Sequence, residues 1–179
     1  MIIIGIDPSM ANTALVAMDL DTMKVLDSLL IETVKSTQKQ VRVSSDTISR
    51  CRDLISGTSN FLDGKGRYII AGETPSGSKN SAAMKGYGIS CFLLALYGAL
   101  EVTPDEVKKA TVGSGTASKE QMIAWAMEKH PEAPWEIHKS GKHEGKPLAK
   151  MEHMADAIGV IYAAMKLPEF KRLRGAYNQ

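Results

Sequence analysis

The chain has 179 residues, 44% of them hydrophobic and 23% charged, and a net charge of +2. That length supports one domain with a full core, and the apolar content excludes bulk disorder. So mild a charge permits nucleic-acid binding without arguing for it, and any such affinity must come from how the lysines are placed.

Residues 2–6 are an apolar run closed by Asp7 and Pro8, the pattern of a central buried strand. The run has no basic region before it and is expected to be a strand, not a signal peptide. Residues 13–18 and 24–33 predict two more strands around the turn Asp19-Leu20-Asp21-Thr22, an antiparallel meander. Asp46 is expected to cap a helix running to Leu62, with Ile48, Cys51, Leu54, Ile55 and Leu62 on its inner side. Residues 68–71 predict a short buried strand leading into Gly72 and Glu73, and residues 74–81 a polar, glycine-containing stretch.

Residues 82–100 predict a long helix. From Cys91 to Tyr97 it is apolar nearly all round, so both faces are expected to be covered. The apolar run is too short to span a bilayer. Residues 101–112 predict a short strand and a helical turn led by Pro104, and residues 113–116 a loop. Ser118 and Gln121 form a capping box that opens a helix ending near His130. Residues 131–150, rich in Pro, Gly, Lys and His, predict an exposed loop or lid. Residues 151–166 predict the last helix, and Lys171, Arg172 and Arg174 a loosely held basic tail. Cys51 and Cys91 form no paired motif and are expected to be buried, reduced thiols of a cytoplasmic protein. The whole predicts an α/β fold, a mixed sheet with helices on its faces, in one domain over residues 1–179 without internal repeats.

Asp7 and Glu73 end two apolar strands. Placed side by side, those strands bring two carboxylates together, and their repulsion is relieved by a divalent cation such as Mg²⁺ or Mn²⁺. On the last helix, Asp156 shares a side with Glu152 and His153, opposite an apolar stripe of Met151, Met154, Ala155, Ile158, Ile161 and Met165. Asp7, Glu73, His153 and Asp156 can then form a four-ligand site for two-metal phosphodiester hydrolysis. A plainer reading also stands: acids in a first helical turn favour the helix dipole without metal, and an Asp before Pro is an ordinary turn residue.

The joint pattern resembles the RuvC family of Holliday junction resolvases. The stretches that carry the likeness are Ile4-Gly5-Ile6-Asp7-Pro8-Ser9, residues 107–119 and His153-Met154-Ala155-Asp156-Ala157, with Glu73 followed by Lys79, Asn80 and Lys85 between the first two. The resemblance implies a ribonuclease-H-like fold with a mixed five-stranded sheet and helices on both faces. It also implies a homodimer and symmetric cuts in four-way junctions, with flaps and forks as further substrates. By position it makes Asp7, Glu73, His153 and Asp156 metal ligands for Mg²⁺ or Mn²⁺, two ions per site, with Lys119 a catalytic lysine. Lys79, Asn80, Lys85, Lys108, Lys109, Ser114, Gly115 and Thr116 become DNA contacts. Residues 91–100, preceded by Met84, Tyr87 and Ile89, are the candidate dimer interface.

The sequence departs from the family in two places: Ser76 stands where an aromatic is common, and residues 131–150 look longer than usual. It looks like a divergent or phage-encoded member, working in the cytoplasm of a bacterial host. The rival readings are another nuclease of this fold, cutting RNA–DNA hybrids or processing ribosomal RNA, and a branch-binding protein without catalysis. An actin-like or sugar-kinase nucleotide-binding domain is a third, for which Gly113-Ser114-Gly115 is a poor second phosphate loop.

Overall fold

The structure is a computed structural model that describes residues 1–74 and 81–177, without the side chains of residues 81–83 and 85. Strands β1 (Ile2–Asp7), β2 (Asn12–Asp19) and β3 (Val25–Glu32) form the expected meander. Helix α1 (Val43–Leu62) then leads to β4 (Tyr68–Glu73), and α2 (Ser81–Leu96) to β5 (Leu100–Val102). The rest is helical: α3 (Pro104–Thr111), α4 (Lys119–Lys129), α5 (Met151–Ala164) and α6 (Pro168–Tyr177). The sheet order is β3-β2-β1-β4-β5, with β1 antiparallel to β2 and parallel to β4.

Alternation along the strands splits the core in two. Ile4 and Ile6 join Leu15, Ala17 and Ile70 under Phe61 and Leu62 of α1 and Leu94 of α2. Ile3, Val16, Met18, Ile69 and Ala71 face the other way, against Val107 of α3, Met122 and Ala126 of α4, and Ile158 and Ile161 of α5. Helices thus cover both faces of a mixed five-stranded sheet.

Several boundaries differ from expectation. Helix α1 starts at Val43 behind Arg42, which makes no side-chain cap. Asp46 lies inside its first turn and accepts a hydrogen bond from the Ser36 amide at 2.8 Å. Ile48 is exposed and Cys51 and Ile55 are half-buried, while Leu54 and Leu62 are buried as expected, together with Thr58 and Phe61. Helix α2 stops at Leu96, because Gly98 turns into the left-handed region (φ +60°). Its apolar second half is covered on one side only: Leu93 and Leu94 are buried while Phe92 and Leu96 are exposed. The basic tail is not loose. Pro168 opens α6, which buries Phe170, and Arg174 approaches Asp21 at 3.6 Å. Cys51 and Cys91 are free but only half-buried. The polar stretch after Thr74, including Ser76, lies outside the described residues. Among the described residues no helix is long and apolar enough to cross a membrane.

Candidate active site

Odd-numbered residues of β1 and β4 face α5, so Asp7 and Glu73 project from the same side of the sheet as Ile3 and Ile69. They end adjacent parallel strands one residue beyond the Ile6–Gly72 pair. Helix α5 crosses β1 so closely that a Cβ on Gly5 would collide with the Ala157 carbonyl oxygen and come within 2.8 Å of Ile161 Cγ1. Only glycine permits that approach, and it sets the first turns of α5 over the end of β1.

The result is direct contact. His153 Nδ1 lies 2.8 Å from Asp7 Oδ2, and both side chains are mostly buried. This hydrogen bond raises the His153 pKa above its ordinary value, against the opposing effect of burial. Burial, then the charges of Asp7 and Asp156, push Glu73 up to about 8. Burial, then the charge of Asp7, push Asp156 up to about 7. Asp7, Glu73, His153 and Asp156 thus lie at one end of the sheet, near enough for the charge of Asp7 to act on the other three.

Two basic groups border it. Lys108 of α3 is close enough to pull the pKa of both Glu73 and Asp156 downward. Lys119, the first residue of α4, is held by a complete capping box between Ser118 and Gln121. Its Nζ reaches Glu152 Oε1 at 2.9 Å, which raises the lysine pKa. The same Glu152 oxygen lies 3.8 Å from His153 Nε2. Glu152 thus links the exposed lysine to the buried histidine, a connection that its position among other acids in the sequence does not disclose.

The loop that follows Asp7 is braced from three sides. Both backbone groups of Ser9 bond the Thr13 hydroxyl, the amide donating to Thr13 Oγ1 at 3.1 Å and Thr13 Oγ1 donating to the Ser9 carbonyl at 2.7 Å. Ser90 of α2, buried in an otherwise apolar stretch, donates to the Pro8 carbonyl at 2.8 Å. Arg50 of α1 donates to the Met10 carbonyl at 3.1 Å and to Thr33 Oγ1 at 2.8 Å. A hydroxyl within an apolar helical run was the one sequence signal for the Ser90 brace.

The other sequence-selected residues lie at varied distances from this chemistry. Lys109 is exposed and paired with Asp105 at 2.5 Å. Ser114 and Thr116 are exposed and their hydroxyls meet at 3.0 Å, while Gly115 packs on the Asp105 carboxylate. Lys79 and Asn80 lie outside the described residues, as does the Lys85 side chain.

Three carboxyls and an imidazole suit an oxygen-preferring divalent cation, and the mutual repulsion that raises Glu73 and Asp156 is what such a cation relieves. Among the described residues no three of these side chains already form a coordination cluster, and His153 and Asp7 are in direct contact.

Compared with solved structures, the chain matches RuvC of Thermus thermophilus. The fold is that of RuvC. One RuvC structure, described as in complex with Holliday junction substrate, superposes with a TM-score of 0.59 at 17% identity, over 98% of this chain and 96% of the other. A second Thermus thermophilus RuvC structure gives 0.59 at 19% identity, over 98% and 97%. No protein-family model and no curated protein matches the sequence. The RuvC-like fold, a form of the ribonuclease-H-like fold, thus extends over nearly the whole chain.

Proposed function

We propose that this protein is a divalent-metal-dependent, structure-selective DNA endonuclease that works as a homodimer on four-way junctions and related branches such as flaps and forks. One observation carries the proposal: three carboxyls and an imidazole from β1, β4 and α5 converge at one end of the sheet in a chain with the fold of RuvC. The Thermus thermophilus protein of that fold is described with a Holliday junction substrate. Residues 1–179 are taken as one catalytic domain, and two free cysteines fit a reducing cytoplasm.

In this proposal Asp7, Glu73, His153 and Asp156 hold Mg²⁺ or Mn²⁺, two ions per site. The bound ions would supply an activated water and stabilise the leaving oxygen. Glu73 and Asp156 would hold the ions as deprotonated carboxylates. His153 Nδ1 is engaged with Asp7, which leaves Nε2 as the ring nitrogen available to a cation. Lys119 stays cationic and, tethered through Glu152, keeps positive charge beside the scissile phosphate. Lys108 offsets the acids' repulsion of the DNA backbone. Lys79, Asn80, Lys85, Lys109, Ser114, Gly115 and Thr116 serve as backbone contacts. A two-fold dimer, formed through the open face of α2, presents two equal sites to two equivalent strands.

The test is to incubate the protein with a four-way DNA junction, a linear DNA duplex and an RNA–DNA hybrid, in Mg²⁺, Mn²⁺ or EDTA. Cleavage of the junction, dependent on the cation, is expected. Asp7→Asn should lower it by about 10³-fold, the order seen when a principal electrostatic group is lost. Cleavage of the hybrid alone, or Asp7→Asn cutting at the parental rate, would refute the proposal.

A further inference from the structure

Between α4 and the segment joining it to α5 runs a groove of about 790 Å³, lined in part by Lys119 and Glu152, whose remaining walls no step above uses. Its floor is apolar, from Ile123, Ala124 and Met127 of α4, and its outer wall carries His138, His143 and Lys146. The wall is a folded element. Ile137 pairs with Pro147, the His138 amide donates to the Lys146 carbonyl at 2.8 Å, and Gly141 and Gly145 turn the chain with positive φ. Its base is pinned by the Lys150–Glu136 ion pair at 2.7 Å and by Trp135 Nε1 donating to the His130 carbonyl at 2.8 Å.

Two features specify an occupant. The His138 and His143 rings sit 5.7 Å apart, inclined at 45°, and both line the groove, which puts two aromatic rings within reach of a flat ligand lying over the apolar floor. Lys146 lines the groove, and Lys139 and Lys142 lie on the same segment against Glu144, while Lys150 is paired with Glu136, so the wall carries a net positive charge that attracts an anion. The acids at the mouth are already engaged, Glu152 with Lys119 at 2.9 Å and Glu120 with the Ser118 hydroxyl at 2.8 Å. The mouth is continuous with the candidate active site, because Glu152 neighbours His153.

We propose that this groove binds an unpaired stretch of the DNA strand next to the cut, with bases stacked on His138 and His143 over the apolar floor and phosphates against Lys146. The inference rests on the endonuclease reading and names the part of the substrate that the extra segment recognises. Stacking on aromatic faces is tolerant of sequence, so the groove selects for unpaired character and not for base identity.

The experiment measures binding in EDTA of a short single strand carrying 2-aminopurine, and of junctions with and without unpaired nucleotides beside the crossover. The parent protein should quench 2-aminopurine, which reports stacking. Replacing both histidines by Ala should abolish the quench and weaken single-strand binding about tenfold or more per stack lost. Replacing both by Phe should restore both signals. Lys146→Ala should reduce the slope of affinity against salt by about one phosphate contact.

Equal binding by the Ala variant, no rescue by Phe, or equal affinity for an abasic strand overturns the groove assignment. If the parent protein still cuts junctions in any of those cases, the endonuclease proposal survives them. A parent protein that binds no DNA overturns both.

Discussion

Gly5 shows how one residue ties packing to chemistry. Its missing Cβ is the space through which α5 reaches β1, and the obstacle to filling it is the Ala157 carbonyl, a backbone atom that cannot swing aside. Gly5→Ala should therefore destabilise the protein by about 1–3 kcal/mol, as overpacking does, read from denaturant midpoints. It should also depress cleavage more than stability alone explains, because the displaced helix carries His153 and Asp156. A variant as stable and as active as the parent would show that α5 is free to move. Glu152 acts at the same scale through two contacts, to Lys119 and toward His153. Such a link depends on rotamers of neighbours distant in the chain, which is why the sequence leaves Glu152 as one more acid near a helix start.

Among the elements, those with strong local signals were legible in the sequence. The meander follows from apolar runs separated by turn residues, and the α4 start follows from Ser118 and Gln121, whose reciprocal bonds are both present. Ser118→Ala should cost about 1 kcal/mol of stability, measured by chemical unfolding, and loosen the N-terminal turn that presents Lys119. No change in either stability or cleavage would mean that tertiary contacts alone hold this turn. The adjacency of Asp7 and Glu73 was legible because both end buried strands, and parallel pairing of β1 with β4 does the rest. The misread elements were governed by distant partners or, for α2, by a local glycine that the apolar run masked. Asp46 resembles a cap but serves Ser36, α6 is held by Phe170 and not by propensity, and α2 ends at a glycine inside what looked like one apolar helix. The closeness of Lys108 to the acids belongs to the same class, since it depends on how α3 packs against α5.

For the molecule as a whole, the acidic cluster sets a pH dependence. Glu73 and Asp156 in the folded chain hold protons up to about 8 and about 7, whereas unfolded carboxyls release them near ordinary values. Over that interval the folded state binds more protons than the unfolded one, so stability falls as pH rises from the carboxylate range toward 8. His153, its pKa also raised, acts in the same direction. Divalent cations held as proposed would compete with these protons, so Mn²⁺ or Mg²⁺ should raise the melting temperature more at pH 8 than at pH 5.5. At a hundredfold excess over Kd the gain is about 2.7 kcal/mol, or about 5–10 °C for a chain of this size. Glu73→Gln combined with Asp156→Asn should flatten the pH profile and remove the cation's effect. An equal shift at both pH values would detach cation binding from these carboxyls. The proposed dimer is tested on α2, where Met84, Phe92 and Leu96 are 50%, 60% and 50% exposed, with Gly88 between them at four-residue spacing. This open stripe borders a small apolar hollow shared with Cys51 and Ile55 of α1. A partner copy laid across Gly88 would bury the stripe and place two acidic clusters in two-fold relation. Phe92→Glu and Leu96→Glu, on surface positions that leave the core intact, should convert a dimer into a folded monomer in sedimentation and light scattering. On a plasmid bearing an extruded cruciform, the parent should yield linear product from paired cuts and the monomer mainly nicked circles. A parent protein that sediments as a monomer yet still makes linear product would place the pairing of cuts elsewhere than on this face.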